Sequence, residues 1–206
     1  MKSMRQIVAP LALGVLLVSG CARPPAEQIE AAERAVKEAQ QGGAATYAAE
    51  EYAKLEGNLA ALKKEVADQD AKFALFRDYG KAEQLAASAK AEGERVKTEA
   101  ATKKEEAKAA ALQAQQVAQE AVRSTLDLVA KAPVGKDRAA LGAIKAEAEA
   151  LNALLSQVQT ALDKEDYPAA QTQAKAIHEK SRAVSLEIEQ ALAKIGKKKP
   201  SPRKAK

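Results

Sequence analysis

A chain of 206 residues that is 30% charged and 3% aromatic, with no tryptophan, lacks the bulky apolar side chains of a compact globule. One cysteine excludes an internal disulfide, one histidine excludes a multi-histidine metal centre, and a net charge of +5 is modest. The dominance of Ala, Glu, Lys, Gln and Leu, which lose little entropy on coiling, predicts an all-α fold whose thin core is spread along its helices.

Residues 1–20 read as a secretory signal: basic Lys2 and Arg5, an apolar run from Ile7 to Val18, then small Ser19 and Gly20. The run is about a dozen residues, short of the ~20 that span a bilayer. Its end, Val18-Ser19-Gly20-Cys21, resembles the bacterial lipobox. That resemblance implies cleavage before Cys21, a thioether-linked diacylglycerol on its sulfur and acylation of the new amine. The plainer alternative is an ordinary signal with an incidental cysteine. Each buried CH₂ contributes ~0.8 kcal/mol, so three acyl chains would hold the chain to a membrane firmly. Ala22, where an Asp would mark retention, implies the outer membrane with the body in the periplasm. Arg23-Pro24-Pro25 completes segment 21–25 as a stiff spacer.

Beyond Ala26 the apolar residues recur at three and four, the helical seam. Ile29, Ala32, Val36 and Ala39 mark a first helix ended by Gly42-Gly43. Tyr52, Leu55, Leu59, Leu62, Val66, Gln69, Phe73 and Phe76 mark a second, and Asp78-Tyr79-Gly80 a turn in which Asp78 caps the third. That third helix is predicted from Tyr79 to Ala132, with a small seam (Tyr79, Ala82, Ala86, Ala89, Gly93, Val96, Ala100) that permits close helix approach. Its middle, KTEAATKKEEAKAAA, is expected to be exposed on all sides and held by pairs such as Glu99–Lys103. The seam returns at Val122, Leu126 and Val129. Pro133 and Gly135 stop this helix, and Asp137 can cap a fourth carrying Leu141, Ile144, Ala148, Leu151, Leu155, Val158 and Leu162. After DKEDYP, a fifth shows Tyr167, Ala170, Ala174, Ile177, Ser181, Val184, Ile188, Ala191 and Ile195, ended by Gly196.

The stretches DYGKAEQLAASAKAEGERV (78–96) and DYPAAQTQAKAIHEKSRAV (166–184) share Asp-Tyr and a matching alanine spacing. Each comes after one amphipathic helix and opens another, and two copies do not make a solenoid. The predicted architecture is elongated antiparallel helical hairpins, two small three-helix bundles sharing one long central helix. The corresponding division is an N-terminal module over 26–105, a C-terminal three-helix module over 106–196 and a basic disordered tail over 197–206.

Residues 25–92, from PAEQIEAAERAVKEAQQGGAATYAAEEY to FRDYGKAEQLAASAKAE, resemble the bacterial lipoprotein family called domain of unknown function 4398. The points of likeness are an Ala-rich first helix, a Gly-Ala break, Tyr47-Ala48-Ala49-Glu50 at the start of the second helix and Asp-Tyr-x-x-Ala at the start of the third. Ala49 stands where the family usually has proline. The resemblance implies a helical envelope lipoprotein and brings no catalytic residues with it.

The rest of the chain is poor in chemistry. His178, beside the seam residue Ile177, has no nucleophile or metal partner specified near it, and reads as a boundary residue. The acidic residues are spread as salt-bridge partners around helices. No phosphate loop, cysteine pair or serine elbow appears, so neither enzyme activity nor a cofactor is expected. Tyr79 and Tyr167, at matching corners, read as packing residues. The tail carries Lys197, Lys198, Lys199, Arg203, Lys204 and Lys206 and no acid. Loss of Lys2 and Arg5 leaves +3, so the body without those six positives is −3. Export disfavours nucleic acid as the tail's partner and leaves peptidoglycan, lipopolysaccharide or an envelope protein, or simply a solubilising end.

The expected function is that of a non-enzymatic, outer-membrane-anchored periplasmic lipoprotein acting as a helical spacer or scaffold. The alternative is a helical accessory subunit of an envelope transport or secretion complex, with a partner helix in its Ala-lined grooves. The same seams suit intramolecular hairpins and a homo-oligomer.

Overall fold

The computed structural model describes residues 23–132 and 138–196. Among them the fold is all-α, with helices α1 (Ala26–Gln41), α2 (Ala44–Tyr47), α3 (Ala49–Asp70), α4 (Gly80–Lys131), α5 (Arg138–Asp163) and α6 (Tyr167–Gly196), one 3-10 turn at Ala74–Phe76 and no strand. The 52 residues of α4 form one uninterrupted helix, ~78 Å long at 1.5 Å per residue. Pro133, Gly135 and Asp137, expected to break and restart the chain, lie outside the described residues.

Two turns are set by backbone conformation. Gly43 comes after α1 at φ +87°, in the left-handed region that glycine adopts freely. Glu165, between α5 and α6, reaches φ 57° without being glycine. That turn is tied down from outside: the Tyr47 hydroxyl donates to the Glu165 carbonyl at 2.8 Å, and Lys104 pairs with the Glu165 carboxylate. The lysine hydrogen bond holds this carboxyl below the usual 4.5, and burial pushes the Tyr47 phenol up.

The described residues pack as two compact units. The first joins residues 23–37 with 53–94. Ala32 of α1, Leu62 of α3, and Tyr79, Ala82, Ala86 and Ala89 at the start of α4 form its core, flanked by Ile29, Leu59, Val66 and Leu85. Alanine on α4 lets the backbones approach closely. At Gly93 the approach is tighter still, since a Cβ there would stand 2.8 Å from the Ala35 Cβ. Ion pairs Glu33–Lys63 and Glu65–Lys81 rim this core.

The second unit joins 38–52 with 95–196, so the link from α1 to the start of α3 packs with the later helices. Its core holds Ala111, Ala118, Val122 and Val129 of α4, Ala148, Leu151, Val158, Ala161 and Leu162 of α5, and Tyr167, Ala170, Ala174, Ile177, Val184 and Ile188 of α6. Larger side chains on α5 and α6 fill the space that alanine leaves on α4.

Four expectations need correction. α3 ends at Asp70, so Phe73 and Phe76 do not continue its seam; both are exposed. The charged middle of α4 stays helical, but it is not exposed on all sides. Ala100 and Ala111 are fully buried and Ala107 packs on the second core, because one alanine stripe survives within the charge. The fifth predicted seam strays at Ala191, which is exposed while Leu192 packs on the core: the larger side chain takes the buried position. The predicted start of the second helix is broken, with α2 ending at Tyr47 before α3 begins at Ala49. The side chains of Leu141 and Ile195 lie outside those described.

Candidate functional site

The residues to which the sequence assigns a role are Val18, Ser19, Gly20 and Cys21 at one end and Lys197, Lys198, Lys199, Arg203, Lys204 and Lys206 at the other. All lie outside the described residues. The described residues offer shallow clefts, a few polar clusters and an exposed apolar loop.

His178 borders a cleft of about 210 Å³ between α4 and α6, with Ala110, Ala114, Val117, Gln171 and Lys175. Its Nδ1 lies 3.6 Å from the Glu179 carboxylate on the exposed rim. A wider cleft of about 510 Å³ lies between α4 and α5 near Arg123, Asp127 and Asn152. Neither brings together a nucleophile, a base and an oxyanion donor, the minimum for acyl transfer. Among the described residues no group of three His, Cys, Asp or Glu side chains could hold a metal ion. No described helix is long and apolar enough to cross a membrane.

One buried polar cluster joins two helices. The Thr125 hydroxyl bonds back to the Ala121 carbonyl at 2.8 Å and meets the Ser185 hydroxyl at 2.9 Å, which fixes α4 against α6. Tyr79 and Tyr167 are both buried, in the first and second cores. The Tyr79 hydroxyl donates to the Asp70 carboxylate, and that bond raises the phenol's pKa.

Among the described residues, the loop between α3 and α4 carries the most exposed large apolar side chains. Phe73, Leu75 and Phe76 are 69%, 73% and 75% exposed, and the two rings lean on each other with centroids 6.3 Å apart. The loop is braced from beneath. Arg77 donates from Nε to the Lys72 carbonyl at 3.0 Å and from Nη2 to the Asp70 carbonyl at 2.8 Å, satisfying backbone acceptors freed by the helix end. Gln69, expected in the apolar stripe, is buried, and its side-chain oxygen receives the Asp78 amide at 3.1 Å and Lys72 Nζ at 2.9 Å. Asp78 accepts the Gly80 amide at 2.9 Å, one position ahead of the cap it was expected to form, since Tyr79 is the first residue whose carbonyl enters the α4 ladder.

Sequence periodicity missed this loop because Gln69, Phe73 and Phe76 happen to keep the helical spacing of three and four. The signal available was compositional: both phenylalanines of the chain fall within four positions, between Lys72 and Arg77. No protein-family model, curated protein or solved structure matches the chain.

Proposed function

We propose that the protein is a lipid-anchored, non-enzymatic scaffold of the bacterial cell envelope, held by acyl chains on Cys21 at the periplasmic face of the outer membrane. The observation that carries this reading is Val18-Ser19-Gly20-Cys21 placed directly behind a basic start and a short apolar run. The helical body supports the scaffold role: most of its buried positions hold alanine or branched aliphatics, which set helix spacing. The basic tail, Lys197 to Lys206, supplies a cationic end suited to the carboxylates of peptidoglycan or to lipopolysaccharide phosphates.

Replacing Cys21 with Ser removes the sulfur that carries the lipid. The expected result is an uncleaved precursor of higher mass that leaves the membrane pellet on alkaline extraction. A mature-sized product that stays with the membrane would sink the anchor. Removing residues 197–206 should weaken co-sedimentation with purified peptidoglycan, most clearly at low salt, where screening is least. Equal pelleting at every ionic strength would remove the cell wall as the tail's partner.

A further inference from the structure

The two hairpins, α3 with α4 and α5 with α6, are closed by connections of different length. On their second helices the buried ladders match 88 positions apart: Tyr79 with Tyr167, Ala82 with Ala170, Ala86 with Ala174, Ala89 with Ile177. On their first helices the match is at 96 positions: Leu55 with Leu151, Leu62 with Val158 and, less buried, Leu59 with Leu155. The first connection is thus longer by the difference, eight residues, and the excess falls on residues 70–77, DAKFALFR. The second hairpin turns through Lys164, Glu165 and Asp166 with no such segment. Hairpin closure therefore does not account for Phe73, Leu75 and Phe76.

The loop also has a defined place in its unit. Asn58 bonds Glu92, Glu65 pairs with Lys81 and Asp70 receives the Tyr79 hydroxyl, so α3 runs antiparallel to α4 and the loop caps one end. α1 runs with α4. Ala35 meets Gly93, at the level of Asn58, whereas Glu33 pairs with Lys63, nearer the loop. Tracing α1 back from Ala35 to Ala26 therefore leads to the loop end. From Arg23, the first described residue, two more residues of chain reach at most about 7 Å. The described chain therefore begins at the end of the unit that carries the exposed apolar loop.

We propose that Phe73, Leu75 and Phe76 insert into the interfacial layer of the phospholipid bilayer that also holds the acyl chains of Cys21, giving the first unit a second attachment point; this rests on the lipid-anchor reading under Proposed function. Rings and a leucine bracketed by Lys72 and Arg77 match the division between acyl chain and headgroup phosphate. The nearest acids are engaged within the chain, Asp70 accepting the Tyr79 hydroxyl and Asp78 the Gly80 amide. A lipid tether alone leaves the unit free to swivel, and a second contact fixes which end faces the membrane.

The chain contains no tryptophan, so Phe76→Trp puts a single indole on the loop. The full-length protein carrying this change is reconstituted into vesicles of phosphatidylglycerol and phosphatidylcholine with brominated acyl chains, and its lipidation is read from its mass. Blue-shifted emission quenched by bromine supports the proposal. Solvent-like, unquenched emission from a lipidated protein overturns it. So does a blue shift that bromine does not quench, which would place a protein surface on the loop. An unlipidated mass defeats the anchor reading separately, and quenching on added vesicles then still decides the loop. In unlipidated protein, Phe73→Ser should weaken vesicle binding about tenfold or more. Because Phe73 is exposed, its circular dichroism should not change.

Discussion

Gly93→Leu should strip the first unit of its amide protection while α5 and α6 keep theirs. Two mid-helix glycines make the comparison. Glycine inside a helix costs about 1 kcal/mol relative to alanine, so an incidental glycine improves on replacement. Gly57 of α3 has nothing within 4 Å of a built Cβ; Gly57→Ala should stabilise by up to about 1 kcal/mol. At Gly93 the same Cβ would lie 2.8 Å from the Ala35 Cβ and 3.0 Å from the Ala35 carbonyl carbon. The obstruction is the Ala35 Cβ and the backbone beside it, which have no rotamer to change, so α1 must move away from α4. Overpacking of this kind costs about 1–3 kcal/mol in ordinary cores. Here it meets a core of mostly alanine, and the few kcal/mol involved are a large share of a small unit's stability. Hydrogen exchange read by mass spectrometry, peptide by peptide, would test it. Full protection across residues 53–94 in Gly93→Leu would show that the close approach is not holding this unit together.

Ile177→Ala should destabilise the second unit by about 2–5 kcal/mol, whereas His178→Ala, its neighbour, should stay within about 0.5 kcal/mol. Ile177 is 3% exposed within the larger core, where a lost side chain leaves a cavity among α4, α5 and α6. Alanine already lines much of α4 there, so little side-chain volume is available to fill the gap. His178 lies one position further round the helix, on the rim of the shallow cleft. Urea unfolding monitored by helix content, supported by exchange in the same peptides, would separate the two substitutions. A large loss in His178→Ala would instead mean that the cleft is structurally important.

Much of the helical pattern was legible because alanine seams give a clean period. Tyr79, Ala82, Ala86, Ala89, Val96 and Ala100, chosen by spacing alone, are all buried. The same criterion failed at Phe73 and Phe76. Spacing does not register that Arg77 takes up the Asp70 and Lys72 carbonyls where α3 ends, or that Gln69 holds the Asp78 amide ahead of α4. It also failed at Ala191, where Leu192 one position on packs instead. In an alanine-rich chain the competing faces of a helix differ by little apolar area, and a neighbouring larger side chain decides between them. The candidate site was barely legible, since what marks the loop is exposure, and exposure is a property of the packed unit.

Local propensity and period specify the helical class and the continuity of α4. They also mark the repeated tyrosine corners and the small residue at position 93. Each of these is carried by neighbouring residues. The tertiary structure alone decided which face of the charged middle of α4 is covered and that residues 38–52 pack with the later helices. It also decided that the loop is left outside at the end where α1 begins. Those outcomes depend on which side chains meet across long separations, such as Lys104 with Glu165 or Ala35 with Gly93. Contacts of that kind are absent from any single helical period.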